Sequence, residues 1–194
     1  MPNWCENKLI LSGSEAQINS LYKKIKEDGL LQTLRPMPDA ETLKKWNEER
    51  PFTEEELEIA ALFKQDPDKG REGEEWHPWR LENWGTKWEV NALHLELLDG
   101  TCIEAGFDSA WTPPIAAYQH FLEQNQGFEI EAYYMEPGCM FAGVWINGRN
   151  EKICDEEFDA PPDKRCDLWN EIDQHMDLSD MYEMMHEDDE EDEE

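Results

Sequence analysis

Basic residues are scarce in this chain and stop early. Over 194 residues there are 17 Lys and Arg against 47 Asp and Glu, a formal charge of −30. No Lys or Arg follows Arg165, so residues 1–166 carry −16 and residues 167–194 carry −14. A chain so short of cations repels nucleic acid and anionic membrane surfaces, because phosphate binding depends on Lys and Arg displacing counterions. Direct nucleic-acid binding and membrane association are therefore poor candidates for function. Long apolar runs are missing as well. Without a stretch of about 18 apolar residues, no membrane-spanning helix is expected. The start, Met1-Pro2-Asn3-Trp4-Cys5, has neither a basic segment nor an apolar core, so it does not read as a secretory signal.

Catalytic signatures are equally sparse. The five cysteines (Cys5, Cys102, Cys139, Cys154, Cys166) are odd in number and form no Cys-x-x-Cys pair, which fits a reduced, cytoplasmic setting. Cys139, Cys154, Cys166 and His175 lack zinc-ligand spacing, and no Asp-x-Asp-x-Asp-Gly calcium loop occurs. The five histidines (His77, His94, His120, His175, His186) are scattered, and no Ser or Cys sits in a nucleophile motif. Carboxylate pairs carry little information among 47 acids. The expectation is a protein that is not an enzyme and needs no metal or cofactor.

What the chain does have is tryptophan, nine in all, three of them in one organising stretch from Trp84 to Pro114. Trp88 to Leu98 is rich in strand formers, Asp99-Gly100 is a two-residue turn, and Thr101 to Phe107 reads as the return strand. Thr112 is placed to cap a following helix with Pro113 at its first position. Upstream, the run Lys8-Leu9-Ile10-Leu11 within 7–12 suits a buried strand. Ser14 to Gln17 is a capping box opening a helix with Ile18, Leu21, Tyr22 and Ile25 on one face. Residues 31–80 form an insertion with helical segments, one of them opened by a second capping box, Thr53 with Glu56. This insertion carries specificity or acts as a lid over one sheet face. Downstream come a helix over 113–126 and an alternating strand from Phe128 to Tyr134. A hairpin about Asn147-Gly148 follows, the strongest short-range turn signal in the chain.

The order strand, helix, strand, strand, helix, strand predicts an α+β fold: a ferredoxin-like βαββαβ antiparallel sheet extended by a C-terminal hairpin. The expected organisation is a domain over 1–158, an acidic helical extension over 159–186, and an acidic tail over 187–194 that is disordered because like charges repel.

Met1-Pro2-Asn3-Trp4-Cys5 with Asn7 and Leu9, Asn83-Trp84-Gly85-Thr86-Lys87-Trp88, Trp111-Thr112-Pro113-Pro114 and Glu136-Pro137-Gly138 together resemble the YubB-type ferredoxin-like family of phage and conjugative-plasmid proteins. The resemblance spans about residues 1–155 and is most specific in the Asn-Trp-Gly-Thr-Lys-Trp block. It implies the same fold, a mobile-element origin and a bacterial host cytoplasm, and it supplies no catalytic residues.

Two site hypotheses follow. In the first, Asp167, Glu171, Asp173, Asp177, Asp180 and Glu183 lie on the polar side of an apolar helical face and imitate duplex phosphates. Trp76 and Trp79 add aromatic anchors, and the partner is a host protein with a basic surface that normally holds nucleic acid. In the second, Trp84, Lys87, Trp88 and Trp111 line a pocket for a small ligand such as a nucleotide, enclosed by the sheet and the insertion.

Overall fold

The computed structural model describes residues 3–63 and 75–186. Period-two burial along β1 (Trp4–Ser12) sets up the architecture, because Cys5, Asn7, Leu9 and Leu11 point to one sheet face and Glu6, Lys8 and Ile10 to the other. The first face is covered by α1 (Glu15–Asp28), whose Ser14–Gln17 capping box forms as expected and whose Ile18, Leu21 and Ile25 are buried. The insertion follows as α2 (Leu30–Leu34), α3 (Ala40–Glu49), α4 (Glu54–Phe63) and α5 (Trp76–Asn83). It builds core directly: Leu30, Leu31, Leu34, Leu43 and Trp79 join the same cluster as Leu9, Leu11 and Ile103. The Thr53–Glu56 capping box also forms, with the Glu56 amide donating to the Thr53 hydroxyl (3.2 Å) and the Thr53 amide to Glu56 (2.9 Å).

β2 (Asn91–Leu98) and β3 (Cys102–Ala110) form the central hairpin, turned at Asp99 and Gly100, both with positive φ as a type I′ turn needs. The first strand starts later than its composition suggests. Glu89 is the reason: its carboxylate accepts from the amides of Leu31 (2.8 Å) and Gln32 (3.1 Å), capping α2 and holding the chain off the sheet. α6 (Ile115–Gln124), β4 (Glu129–Glu136), β5 (Phe141–Ile146) and β6 (Arg149–Cys154) complete the body. Thr112 does not cap α6. Pro114 takes that position, and the Thr112 hydroxyl donates to the Gly85 carbonyl instead (2.5 Å). Asn147 and Gly148 turn the last hairpin, and the Asn147 side chain also accepts from the Ile130 amide (2.8 Å).

The result is an α+β fold whose single six-stranded sheet runs β2-β3-β1-β4-β5-β6, with every neighbour antiparallel. β1 is central, and both crossover helices, α1 and α6, pack on the Leu9–Leu11 face. On the opposite face a second core forms over β4, β5 and β6, with Ile10 of β1 packed at its margin. There Tyr133, Met135, Val144 and Ile153 meet Trp169, Ile172 and Met176 of α7 (Asp167–Met176). α8 (Leu178–His186) follows after Asp177, which takes the left-handed conformation and breaks what would otherwise be one helix. Among the described residues, no helix of the second core covers β2, β3 or the Glu6–Lys8 part of β1 on that face. Among the described residues no helix is long and apolar enough to cross a membrane. The acidic tail, residues 187–194, lies outside the described residues.

Candidate functional site

The bare half of the sheet is acidic because of strand alternation. Register places Glu6 opposite Asp108, Lys8 opposite Gly106, Glu104 opposite Ile10, and on the outer side Glu96 opposite Glu104 and His94 opposite Gly106. All of these point to the same sheet face as α7, and all but Ile10 lie beyond the part that the second core covers. Like charges directly across a ladder repel, and here two such pairs occur, Glu6 with Asp108 and Glu96 with Glu104. Lys8 offsets one, its Nζ lying 3.5 Å from Glu104 Oε2. Among the described residues no ion pair serves the other. The Glu6 carboxyl is pushed above its ordinary value, first by burial and then by Asp108, and the Asp108 carboxyl is pushed up by burial.

Gly106 opens the floor: a Cβ built there would meet no atom within 4 Å. The C-terminal end of α7 forms the wall, so that His175, Met176 and Asp177 join Glu6, Lys8, His94, Glu104 and Asp108 around an open depression of about 300 Å³. Among these described lining residues only Lys8 carries a permanent positive charge. His175 is anchored by stacking on Tyr133, and burial, then Lys8, holds its imidazole below the ordinary value against the opposing pull of Glu131, Glu171 and Glu104. The depression is thus a concave, anionic surface with carboxylates short of countercharge. It suits guanidinium or ammonium groups. Among the described residues no group of three or more His, Cys, Asp and Glu side chains is arranged to hold a metal ion.

The six carboxylates expected on the C-terminal segment divide. Asp167, Asp177, Asp180 and Glu183 are exposed and Glu171 is half-buried, with Asp177 the one that reaches the sheet depression. Asp173 is corrected. It caps α8, accepting from the Ser179 amide (2.7 Å) and hydroxyl (2.7 Å), so it is engaged inside the fold. The carboxylates also do not line a single helix, because α7 and α8 part at Asp177. Arg165 holds them together, with its guanidinium 3.8 Å from the centre of the Trp169 ring and 5.1 Å from that of Tyr182, and with a hydrogen bond to the Ser179 hydroxyl (3.2 Å).

No protein-family model matches the chain, and no curated protein matches it. Among solved structures, the crystal structure of a protein api92 from Yersinia pseudotuberculosis, described by the family model DUF1281, covers 84% of this chain and 100% of its own, with 10% sequence identity and a TM-score of 0.43.

The tryptophans also divide. Trp79 is 5% exposed and packs edge-to-face on Trp84 at 5.9 Å, so it is core and cannot anchor a partner; Trp76 is half-buried under the Arg80 guanidinium. Trp84 is 1% exposed and its indole N–H donates to the Arg35 carbonyl (2.8 Å), which removes it from any ligand platform. The two tryptophan motifs are largely a clasp. Gly85 at φ 88° lets the backbone approach the Pro113 carbonyl, and the Thr86 hydroxyl donates to the Ala110 carbonyl (2.9 Å). Lys87, Trp88 and Trp111 stay at the surface. The Lys87 ammonium lies over the Trp88 ring, Trp88 packs on Trp4 with centroids 6.2 Å apart, and Trp111 is 47% exposed.

Sequence reasoning missed Glu6 and Asp108 as a pair. The period-two pattern of β1 and β3 was their signal, but it marks only which residues share a face and not which half of that face a helix will cover.

Proposed function

We propose that this protein is an inhibitor without enzymatic activity that binds a basic protein surface normally engaged with nucleic acid. One observation carries the reading: the sheet face left bare by α7 sets Glu6, Glu96, Glu104 and Asp108 against a single lysine, and Asp177 joins them from the helical extension. A partner that brings arginines or lysines to this surface relieves the Glu6–Asp108 repulsion, and that relief contributes to affinity. The exposed carboxylates of Asp167, Asp180 and Glu183 extend the negative field outward and steer a basic partner toward the site.

In this reading β1, α1, β2, β3, α6 and β4 form a ferredoxin-like unit, and β5 and β6 are the added hairpin. The strand order β2-β3-β1-β4 and its two split crossovers support this assignment. The resemblance to the YubB-type family supports an origin on a mobile element, and with it a bacterial host as the source of the target and the host cytoplasm as the place of action. The small-ligand site built on Trp84, Lys87, Trp88 and Trp111 is disfavoured, since Trp84 is in the core.

Purification of the tagged full chain from a bacterial host at low and at high salt tests the proposal. The expected result is a stoichiometric nucleic-acid-binding protein that is released by salt and displaced by added nucleic acid. A partner retained at high salt, or one that nucleic acid does not displace, overturns it.

A further inference from the structure

The helical side of the molecule carries a second concavity of opposite character. α1, α2 and α6 part to leave an open groove of about 630 Å³, within the size range of small-molecule sites. Leu21, Phe121 and Phe128 supply apolar lining, and Lys24, His120 and Gln124 supply polar groups. None of its described lining residues is Asp or Glu, although acids outnumber bases 47 to 17 in the chain.

The wider surroundings are mixed. Lys23 and Lys26 lie on the same helix as Lys24, and so do Glu15, Glu27 and Asp28. The charge of Arg35, just past α2, reaches His120, which is held below its ordinary value by burial first and Arg35 second, against Glu123. Glu123 and, through Arg35, Glu82 are acids that reach this environment, and both lie outside the groove lining. The groove is built on fixed elements: Phe121 and Phe128 pack edge-to-face at 4.9 Å, and the Gln17 side chain ties α1 to the Gln126 carbonyl (3.0 Å). Among the described residues, this concavity in a strongly acidic chain is lined without carboxylates and supplied with an ammonium group.

We propose that this groove binds a small anionic molecule of nucleotide size, its ring against Phe128 and its anionic group at Lys24. Charge complementarity and volume carry the assignment. It is independent of the acidic surface, because the helices that line the groove pack on the opposite sheet face from Glu6 and Asp108.

The test is titration of the full chain with adenosine monophosphate, adenosine and inorganic phosphate, followed by two-dimensional NMR. Adenosine monophosphate is expected to bind saturably, with shifts confined to α1, α2, α6 and the segment around Phe128, and to bind about tenfold or more tightly than either fragment alone. Lys24→Glu is expected to weaken it by about tenfold or more. Ser20→Trp, which fills the mouth from an exposed position of α1, is expected to abolish it with the melting temperature unchanged. No saturable response, shifts centred on Trp88, equal binding of adenosine, or unchanged binding by Lys24→Glu would each overturn the assignment.

Discussion

The imidazole of His175 lies flat on the phenol ring of Tyr133, with centroids 3.7 Å apart and planes 9° from parallel. This contact pins the end of α7 to β4 and positions Asp177 beside the sheet carboxylates. Removing it tests how the depression is built. His175→Ala is expected to lower stability by about 1 kcal/mol near pH 8, the usual worth of an aromatic pair beyond its buried area. The sign of the pH dependence follows from linkage. The folded protein holds the His175 pKa down, so its contribution is present above the unfolded value of about 6.5 and is lost as pH falls through it. The stability gap between wild type and variant is therefore expected to narrow from pH 8 to pH 5.5 in denaturant titrations. A gap that widens on acidification would refute the assignment.

Glu6 and Asp108 show the opposite sign. Their folded-state values are raised, so the folded protein binds more protons and becomes relatively more stable as pH falls from neutral toward the carboxylate range. Glu6→Gln and Asp108→Asn are each expected to raise the melting temperature at pH 7, with the gain shrinking toward pH 4. Thermal melts across that range check it. A loss of stability at pH 7 in both variants would show that the pair is not under strain.

Gly143 on β5 is expected to be intolerant of any side chain. A Cβ there would collide with the Tyr134 phenol and lie 2.6 Å from the Glu151 carbonyl oxygen. Both are fixed by the ladder and by the Tyr134 hydroxyl donating to Asn150 (2.8 Å). Gly143→Ala should cost about 3 kcal/mol, toward the upper end for overpacking. Urea denaturation with an unchanged slope and a lowered midpoint is the expected readout.

Asp173 is expected to matter for α8 rather than for binding. Asp173→Ala removes both hydrogen bonds to Ser179 and should cost about 1 kcal/mol, as loss of a helix cap does. Faster amide exchange confined to 178–186, with partner affinity reduced much less than by Asp177→Asn, is the pattern that supports this role.

Much of the fold was legible because its signals are local. Ser14 with Gln17, Thr53 with Glu56, Asp99-Gly100 and Asn147-Gly148 all act within four residues, and each forms as its chemistry requires. What could not be read depends on distant partners. Glu89 leaves the expected strand to cap α2, 57 residues away. Trp79 becomes core because the insertion folds inward, and a tryptophan in sequence looks the same whether it anchors an interface or a core. The sheet depression needed both kinds of knowledge, since alternation gives the face of Glu6 and Asp108 and only α7 decides which half of it stays open.

The most direct test of the acidic surface as the binding site is quantitative capture of a purified nucleic-acid-binding target by the full chain and by the triple variant Glu6→Gln, Asp108→Asn, Asp177→Asn. These substitutions keep side-chain size, and two of them relieve repulsion, so the variant should fold at least as well as the wild type. Loss of capture by the triple variant, with capture by the wild type weakening as salt rises, is the predicted result. Equal capture by both proteins would contradict the account.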